Sequence, residues 1–569
     1  MVMTSSMPSF GRILGVSCFY HDAAVASLDD GRITFAIHEE RLSRCKHDAA
    51  LPRLAIRAAL AHNGWSAKDV DRVVFYEDPS LKLRRLEDQV KRFWPESRFL
   101  QEVGIPGYLA NKFTVAQQLQ DEFGFRDVVC GNHHTSHAAA TFHTSPFENA
   151  LVLTLDGVGE SESAAVFVGE GNSLRRVLSI NFPDSLGLFY SVFTQYLGFE
   201  VNEGEYKVMG LAPYGKPKLI DRILNHVLIL EEDGTFRLNL DFFNFCDIER
   251  HYRDRLIAHL DVPPRSATDP MTQAHCDLAA SVQLALEKAV CNLLGAMLLR
   301  YPTKDVCLAG GVALNCTANA RLIRDFGIRL HIHPAAGDAG GALGAALHEA
   351  ARHAPPGRLL RPDFTPYLGV SFSPAQIEQQ LGERGAAWRR EGDVAAWVAR
   401  RLAAGEVVAI VHGRDEWGPR ALGARSILAD PRRAEMKDHL NAKIKFREEF
   451  RPFAPVIMEQ YYGEYFETLG MTESPYMLFT HRALRPDAVA AVVHADQTSR
   501  VQTVNAQQNA YLYDILREFY ALTGVPVLIN TSFNLRGEPI VSSPADALKT
   551  FHASGIDCLA IEDYVIEKA

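Results

Sequence analysis

The segment His133-His-Thr-Ser-His137 carries two imidazoles four positions apart. On a helix, residues i and i+4 share a face, so His133 and His137 can aim at one point. Asp156 comes nineteen residues after His137, at the end of the apolar run Leu151–Leu155, and Asp338 lies in the glycine-rich stretch 334–344. Two imidazoles and two carboxylates form an N2O2 donor set suited to a divalent transition metal. Spacing alone leaves a second reading open, in which the histidines simply pack in a core or sit on a surface.

Two glycine-rich turns offer a different chemistry. Gly310-Gly-Val-Ala-Leu-Asn315 follows the strand-like run Val306–Ala309, and Gly337-Asp-Ala-Gly-Gly341 leads into a helical pattern. Glycines let backbone amides approach a nucleotide closely, and a helix N-terminus favours anions. Tight strand–helix packing accounts for such turns equally well. The GxGxxG fingerprint and the P-loop are both absent from the sequence.

The third cluster is basic. Residues 414–451 hold ten Arg or Lys against seven Asp or Glu, a local surplus of three positive charges. The cations Arg420, Arg425, Lys445, Arg447 and Arg451 are interleaved with glycine, proline and phenylalanine, as in Gly418-Pro-Arg-Ala-Leu-Gly423. Guanidinium groups held on such turns suit bidentate binding of phosphate or carboxylate. Arg500 and the polar turn Asn530-Thr-Ser-Phe-Asn534, with Ser532 at its centre, offer further donors. The pattern predicts a site for a phosphorylated small molecule. Stacking aromatics do not recur among the charges as a nucleic-acid surface would require.

The elements that must position these groups follow an α/β grammar. Ile13–Ser17, Ala23–Leu28 and Ile33–Ile37 read as short strands split by turns, and Leu151–Leu155, Ala164–Val168 and Val177–Ile180 repeat the pattern. The repeat predicts a duplicated fold of two related lobes. A long helix with an apolar stripe is expected around Leu278–Leu294. From Arg352 to Pro374 prolines accumulate and periodicity fades, which reads as a linker. A second α/β pattern starts at Val394. The expected division is 1–355, a linker at 356–388, and 389–569.

The whole chain has 569 residues, enough for two to four domains. Its 47% hydrophobic content supplies a core, and its net charge of −10 argues against broad nucleic-acid or membrane-surface binding. The first residues lack the apolar core of a signal peptide, and no apolar run approaches a membrane span. Nine scattered cysteines without a CxxC pair fit reduced thiols in a cytoplasmic protein.

In chain order, several motifs together resemble the carbamoyltransferase family of natural-product biosynthesis, of the NodU/CmcH/TobZ type. They are Phe19-Tyr-His-Asp-Ala-Ala, Glu39-Glu-Arg-Leu-Ser-Arg-Cys-Lys-His47, His133-His-Thr-Ser-His-Ala and Leu155-Asp-Gly-Val-Gly-Glu160. Gly204-Glu-Tyr-Lys-Val-Met-Gly-Leu-Ala-Pro-Tyr-Gly215 and Gly310-Gly-Val-Ala-Leu-Asn315 continue them. The second half adds Gly418-Pro-Arg-Ala-Leu-Gly-Ala-Arg-Ser-Ile-Leu428, Lys445-Phe-Arg-Glu-Glu-Phe-Arg-Pro-Phe-Ala-Pro455 and Asn530-Thr-Ser-Phe-Asn534. The resemblance spans nearly the whole chain.

It implies a duplicated actin/hexokinase-like (ASKHA) domain followed by a YrdC-like α/β domain. It implies ATP and carbamoyl phosphate as co-substrates. The second domain would make carbamoyl-adenylate with release of pyrophosphate, and the first would pass the carbamoyl group to a hydroxyl of a small-molecule acceptor. On this resemblance the metal ligands fall on His133, His137, Asp156 and Asp338, and Gly310, Gly311 and Asn315 sit near the adenosine. Arg420, Arg425, Lys445, Arg447, Arg451, Arg500, Asn530 and Ser532 would bind carbamoyl phosphate and ATP. His21 matches the catalytic histidine, and Asp22 would orient it or touch the acceptor. Iron is the first expectation for the metal, with manganese, zinc or magnesium as alternatives; two imidazoles disfavour magnesium.

The acceptor is expected to be a secondary metabolite, either a macrolide, a glycoside or an aminoglycoside. Aromatic residues in otherwise unassigned segments (Phe93, Trp94, Phe99, Phe242, Phe243, Phe245) lean towards a polyketide macrolide or its sugar, and core packing accounts for them equally well. Neither nucleic acid nor membrane is an expected partner, and a homodimer is compatible with the chain. Threonylcarbamoyl transfer to tRNA and nucleotide sensing by a hexokinase-like regulator are the competing functions. A HypF-like role would call for CxxC pairs, which the chain lacks.

Overall fold

The structure is a computed structural model that describes residues 10–247 and 249–568. The chain forms two compact units. One comprises the residues up to Ala36 together with Ala49–Phe364, and the other Ile37–Asp48 together with the chain from Thr365 on.

The first unit is built on two five-stranded sheets of the same design. The first contains β1 (Arg12–Ser17), β2 (Ala24–Asp29), β3 (Arg32–His38), β4 (Arg72–Phe75) and β5 (Val128–Cys130), in the order β3-β2-β1-β4-β5. The second contains β6 (Asn149–Leu155), β7 (Glu162–Glu170), β8 (Ser173–Asn181), β9 (Asp305–Ala309) and β10 (Arg329–Ile332), in the order β10-β9-β6-β7-β8. In both, the opening strand pairs antiparallel with the strand after it and parallel with a later one. The turn-split strands of the sequence repeat thus occupy equivalent places in two sheets. The central strands are apolar on both faces, as strands covered by helices on each side must be.

Five helices matter for the site: α1 (Pro79–Arg92), α2 (His133–His143), α3 (Gln273–Arg300), α4 (Cys316–Phe326) and α5 (Asp338–Arg352). Helix α3 extends beyond the expected 278–294 at both ends. Its length and its apolar window, with a mean hydropathy of 1.5, would suffice to cross a bilayer, yet 56% of that window is buried inside the fold. Leu278, Val282, Leu286, Leu293 and Met297 face the core, so α3 fits the description of a buried core helix.

The second unit is built on an eight-stranded mixed sheet. Its strands are β11 (Arg389–Arg390), β12 (Val408–Val411), β13 (Arg425–Ala429), β14 (Ala454–Met458), β15 (Gln502–Val504), β16 (Val527–Ser532), β17 (Cys558–Ile561) and β18 (Tyr564–Glu567). Their order is β11-β18-β17-β12-β13-β16-β14-β15. Side chains alternate between two cores. Val408 and Ile410 face α6 (Val394–Ala403) and α7 (Ala510–Thr523), while Ala409 and Val411 face α8 (Pro544–His552) and its neighbours.

The stretch expected to be a linker contains a helix at Pro374–Glu383. Ser373 and Gln376 form a capping box at its start, and Ile377 and Leu381 are buried one turn apart. Proline at the first turn begins this helix rather than breaking it.

Candidate active site and its two halves

The four expected ligand residues meet at one point in the first unit. Helix α2 starts at His133 because Asn132 accepts the Thr135 N–H at 3.1 Å and Glu160 accepts the His133 N–H at 2.8 Å. His133 and His137 then lie one turn apart with their rings edge to face and their Nε2 atoms 3.1 Å from each other. Asp156 leaves the end of β6, and its Oδ2 lies 2.9 Å from His133 Nε2 and 3.7 Å from His137 Nε2. Asp338 is the first residue of α5, with Oδ1 3.4 Å from His137 Nε2 and 3.7 Å from His133 Nε2.

The four donor atoms lie within 4.8 Å of one another, and all four residues are buried. Asp338 Oδ1 is buried with no hydrogen-bond partner among the described residues. Two imidazole nitrogens and two carboxylates converging in a buried pocket fit a divalent transition metal. The electrostatics agree. Burial disfavours charge on the imidazoles, yet Asp338 and Asp156 hold His133 well above its ordinary pKa, and the same two carboxylates raise His137. Burial likewise works against the Asp156 carboxylate, but the two histidines hold it well below the usual carboxylate range. The pocket is built to hold positive charge against two carboxylates.

A further ring of polar residues, unsuspected from sequence, supports this cluster. Glu77 follows β4 and is fully buried, 2.5 Å from Lys112 Nζ and 3.6 Å from Lys82 Nζ. Its Oε2 lies 3.5 Å from His133 Nδ1. Tyr76 donates to Asp338 Oδ2 at 3.4 Å and accepts from Lys112 Nζ at 3.4 Å. Glu77 lies two residues past an apolar strand, a position that in sequence does not distinguish it from a strand terminator.

His21 sits on the turn between β1 and β2, bracketed by Phe19 at φ +67° and Asp22 at φ +52°. Left-handed backbone at non-glycine residues costs about 1–3 kcal/mol each and clusters at functional sites. The His21 and Asp22 side chains hydrogen-bond to each other, Nδ1 to Oδ2, at 3.0 Å. Burial lowers the His21 pKa, but the bond to Asp22 and the charges of Asp338, Asp22 and Asp156 outweigh it and raise it from 6.5 to about 9.

The glycine turn touches the same cluster. Gly310 has φ +89°, and a Cβ there would lie 2.2 Å from the Leu155 carbonyl oxygen. Gly311 is exposed, and its N–H donates to Asp156 Oδ1 at 2.9 Å. Asn315 differs from its neighbours. Its side chain caps α4 by accepting the Ala318 N–H and exchanges two hydrogen bonds with Gln283 of α3, so it holds the turn in place.

In the second unit the basic residues divide into two groups. Arg425 is fully buried. It pairs with Asp415 at 2.6 Å and donates to the carbonyls of His412, Ala424, Ser542, Val370 and Gly413. Those contacts engage its guanidinium with the protein itself, so it ties loops together where the sequence had suggested a substrate contact. Glu416 accepts the N–H groups of Leu422, Ala424 and Arg425 and shapes the turn that carries half-buried Arg420.

The other group surrounds Lys445. Its Nζ is buried and donates to Asn534 Oδ1 at 2.9 Å and to the Asn534 and Ser532 carbonyls. Burial lowers its pKa well below the ordinary value, and Arg447, Arg451 and Lys46 push it further down. Phe446, next in the chain, has φ +48°. Arg447 lies over the Phe453 ring and donates to Asn441, while Arg451 lies 3.6 Å from Glu448. Arg500 is half-buried at the end of the strand Thr498–Arg500. Ser532 donates to Asn534 Oδ1. Asn530 donates to Ala421 O and Gln502 Oε1, and its own Oδ1 is buried without a partner among the described residues.

The Glu39–His47 motif belongs to this unit. Arg41 is buried and donates to Gly418 O, and Arg44 donates to the Ile540 and Pro539 carbonyls.

Residues 12–347 match the family model described as the carbamoyltransferase N-terminus, and residues 399–568 match that of the carbamoyltransferase C-terminus. A mixed α/β protein with a convergent His/Asp cluster and a buried cationic nest is therefore placed among transferases. The chain belongs to the carbamoyltransferase family. An uncharacterised protein of Synechocystis sp. is 42% identical, over 98% of this chain and 96% of its own length. The nodulation protein NolNO of Sinorhizobium fredii is 38% identical, over 97% of this chain and 79% of its own. Nodulation protein U of the same species is 31% identical, over 96% of this chain and 98% of its own.

Proposed function

We propose that this carbamoyltransferase is ATP-dependent and acts on a hydroxyl group of a small secondary metabolite. The second unit, read as YrdC-like, converts carbamoyl phosphate, ATP and water to carbamoyl-adenylate, phosphate and pyrophosphate. The first unit, read as actin/hexokinase-like, transfers the carbamoyl group and releases AMP. The observation that carries the adenylate-forming half is the nest around Lys445, whose buried Nζ is held by Asn534 and Ser532 and feels the charges of Arg447, Arg451 and Lys46. Clustered basic side chains of this kind complement a polyphosphate. Asn530 Oδ1 is a buried acceptor suited to the carbamoyl NH2.

In the first unit His133, His137, Asp156 and Asp338 would hold a divalent metal, iron being our first choice. When bound, such an ion supplies Lewis-acid stabilisation of a phosphate leaving group. The exposed residue Gly311, its N–H held by Asp156, would border the nucleotide. Asp22 holds His21 at Nδ1, which leaves Nε2 to take the proton of the acceptor hydroxyl. The hydrogen bond to Asp22 and the charges of Asp338, Asp22 and Asp156 raise the His21 pKa against burial, so neutralising Asp338 and Asp156 lowers it and frees more neutral imidazole to act as a base.

The test is a product assay on the purified protein. AMP and pyrophosphate are expected only when carbamoyl phosphate is present with ATP, and a hydroxylated metabolite should gain the mass of one carbamoyl group. Pyrophosphate release that ignores carbamoyl phosphate would overturn the proposal.

A further inference from the structure

A histidine can offer a lone pair from one ring nitrogen only if the other carries the proton. At His133, Nε2 faces Asp156, Asp338 and His137, so the proton belongs on Nδ1. That nitrogen is buried and makes no hydrogen bond within ordinary geometry among the described residues. The anion facing it is Glu77, at 3.5 Å. Glu77 is itself fully buried, and a lone carboxylate there would be costly. Lys112 at 2.5 Å and Lys82 at 3.6 Å keep it ionised and fix its place.

Lys112 reaches a second member of the cluster. Its Nζ donates to the Tyr76 hydroxyl, which in turn donates to Asp338 Oδ2. The Tyr76 ring also lies against the His133 ring, with centroids 5.3 Å apart. One buried ammonium is thus joined through Glu77 to a ligand histidine and through Tyr76 to a ligand carboxylate. Glu77 and Tyr76 are consecutive residues just past the end of β4. A rigid strand end is a better anchor for such groups than a loop.

We infer that Glu77, Tyr76 and Lys112 form a positioning triad that sets the His133 tautomer and orients Asp338 for a divalent ion. None of the three is needed as a ligand, since four donors already converge. The inference rests on the four-residue cluster binding an ion, as proposed above.

Cobalt(II) titration of the full-length protein tests both, because its visible ligand-field bands report affinity and geometry without turnover. The wild type is expected to show bands of a nitrogen–oxygen site. If it binds no cobalt, the cluster reading falls and the triad with it. If it binds, Glu77→Gln is expected to weaken binding roughly 10–100-fold and to shift the bands. Glu77→Gln leaves two lysines without their counter-charge, so the double variant Glu77→Gln/Lys112→Met, which keeps the local net charge, checks for a folding defect. Tyr76→Phe changes no charge and is expected to weaken binding by a smaller factor, again with shifted bands. A merely structural triad would lower thermal stability and leave the cobalt spectrum alone. Wild-type affinity and bands in folded Tyr76→Phe, or in either folded Glu77 variant, would overturn the inference while leaving the cluster reading intact.

Discussion

Asp156 faces two ways. Its Oδ2 lies 2.9 Å from His133 Nε2, and its Oδ1 accepts the Gly311 N–H at 2.9 Å. One carboxylate therefore joins the His/Asp cluster to the turn proposed for the nucleotide. Binding at the two places should be linked, and linkage is reciprocal. A divalent ion is expected to tighten binding of a non-hydrolysable adenylate, and the adenylate to tighten the ion by the same factor. Asp156→Asn should weaken both and abolish the coupling. Calorimetric titrations, each run with and without the other ligand, would show this. Equal adenylate affinity in both backgrounds would refute it.

Gly159 packs against the same imidazole. A Cβ at this position would come within 2.8 Å of His133 Cδ2 and Cγ, closer than real Cβ atoms approach. The ring is also held by Tyr76, so it cannot yield freely. Gly159→Ala is expected to fold, since Gly159 makes an ordinary turn bond to Glu162 O. It should lose metal affinity by at least the roughly 10–100-fold typical of outer-shell changes. Metal content after dialysis against a weak chelator is the measurement.

The parts of this site that could be read from sequence were those with local periodicity. His133 and His137 are four apart on one helix, and Asp156 ends an unmistakable strand, so their convergence needed only the right fold. Glu77 was illegible for the opposite reason. A single acid after an apolar strand looks like a strand terminator until Lys82 and Lys112 arrive from α1 and beyond it. Arg41 and Arg44 sit in a recognisable motif, yet their acceptors lie 377 and 496 residues away, a separation that no sequence pattern encodes. Arg425 shows a different limit. Counting charges marks it as basic, but only burial shows that six protein acceptors already surround it.

That enclosure makes Arg425 a stability residue. Removing one partner of a buried ion pair costs about 3–5 kcal/mol, because the other charge is stranded. Arg425→Met should strand Asp415 and remove a donor from each of five carbonyls, of which Val370 O and Ala424 O keep a backbone N–H. Chemical denaturation should show a loss of that order, whereas a loss below about 1 kcal/mol would mean that the loops hold without it.

Lys445 should behave differently. Burial and three neighbouring cations already depress its pKa, so its charge is held at a cost to folding. Lys445→Met removes a donor from the Ser532 and Asn534 oxygens but also a charge held at a cost, so it is expected to lower stability less than Arg425→Met does, with carbamoyl-phosphate-dependent pyrophosphate release lost. A smaller loss of stability beside a full loss of activity marks a residue kept for its chemistry. A variant that loses stability and retains pyrophosphate release would count against the nest.

His21 gives a pH signature. Its pKa is raised from 6.5 to about 9 by its hydrogen bond to Asp22 and the charges of Asp338, Asp22 and Asp156, against the opposing pull of burial. A raised value means that the folded state binds the proton more tightly than the unfolded state, so the proton stabilises the fold. The contribution is complete below pH 6.5 and disappears as the pH rises through about 9. In protein stripped of metal by a chelator, the stability gap between wild type and His21→Gln should therefore be widest below 6.5 and close by the upper value. Asp338→Asn removes one of the charges and should move the upper limit downwards. The same sign governs transfer. Only neutral His21 can accept the hydroxyl proton, so carbamoyl transfer should rise with pH while pyrophosphate release in the other unit does not follow it. His21→Asn should abolish transfer and spare pyrophosphate release. Loss of both activities in a folded His21→Asn variant would show that the imidazole is not confined to the transfer step.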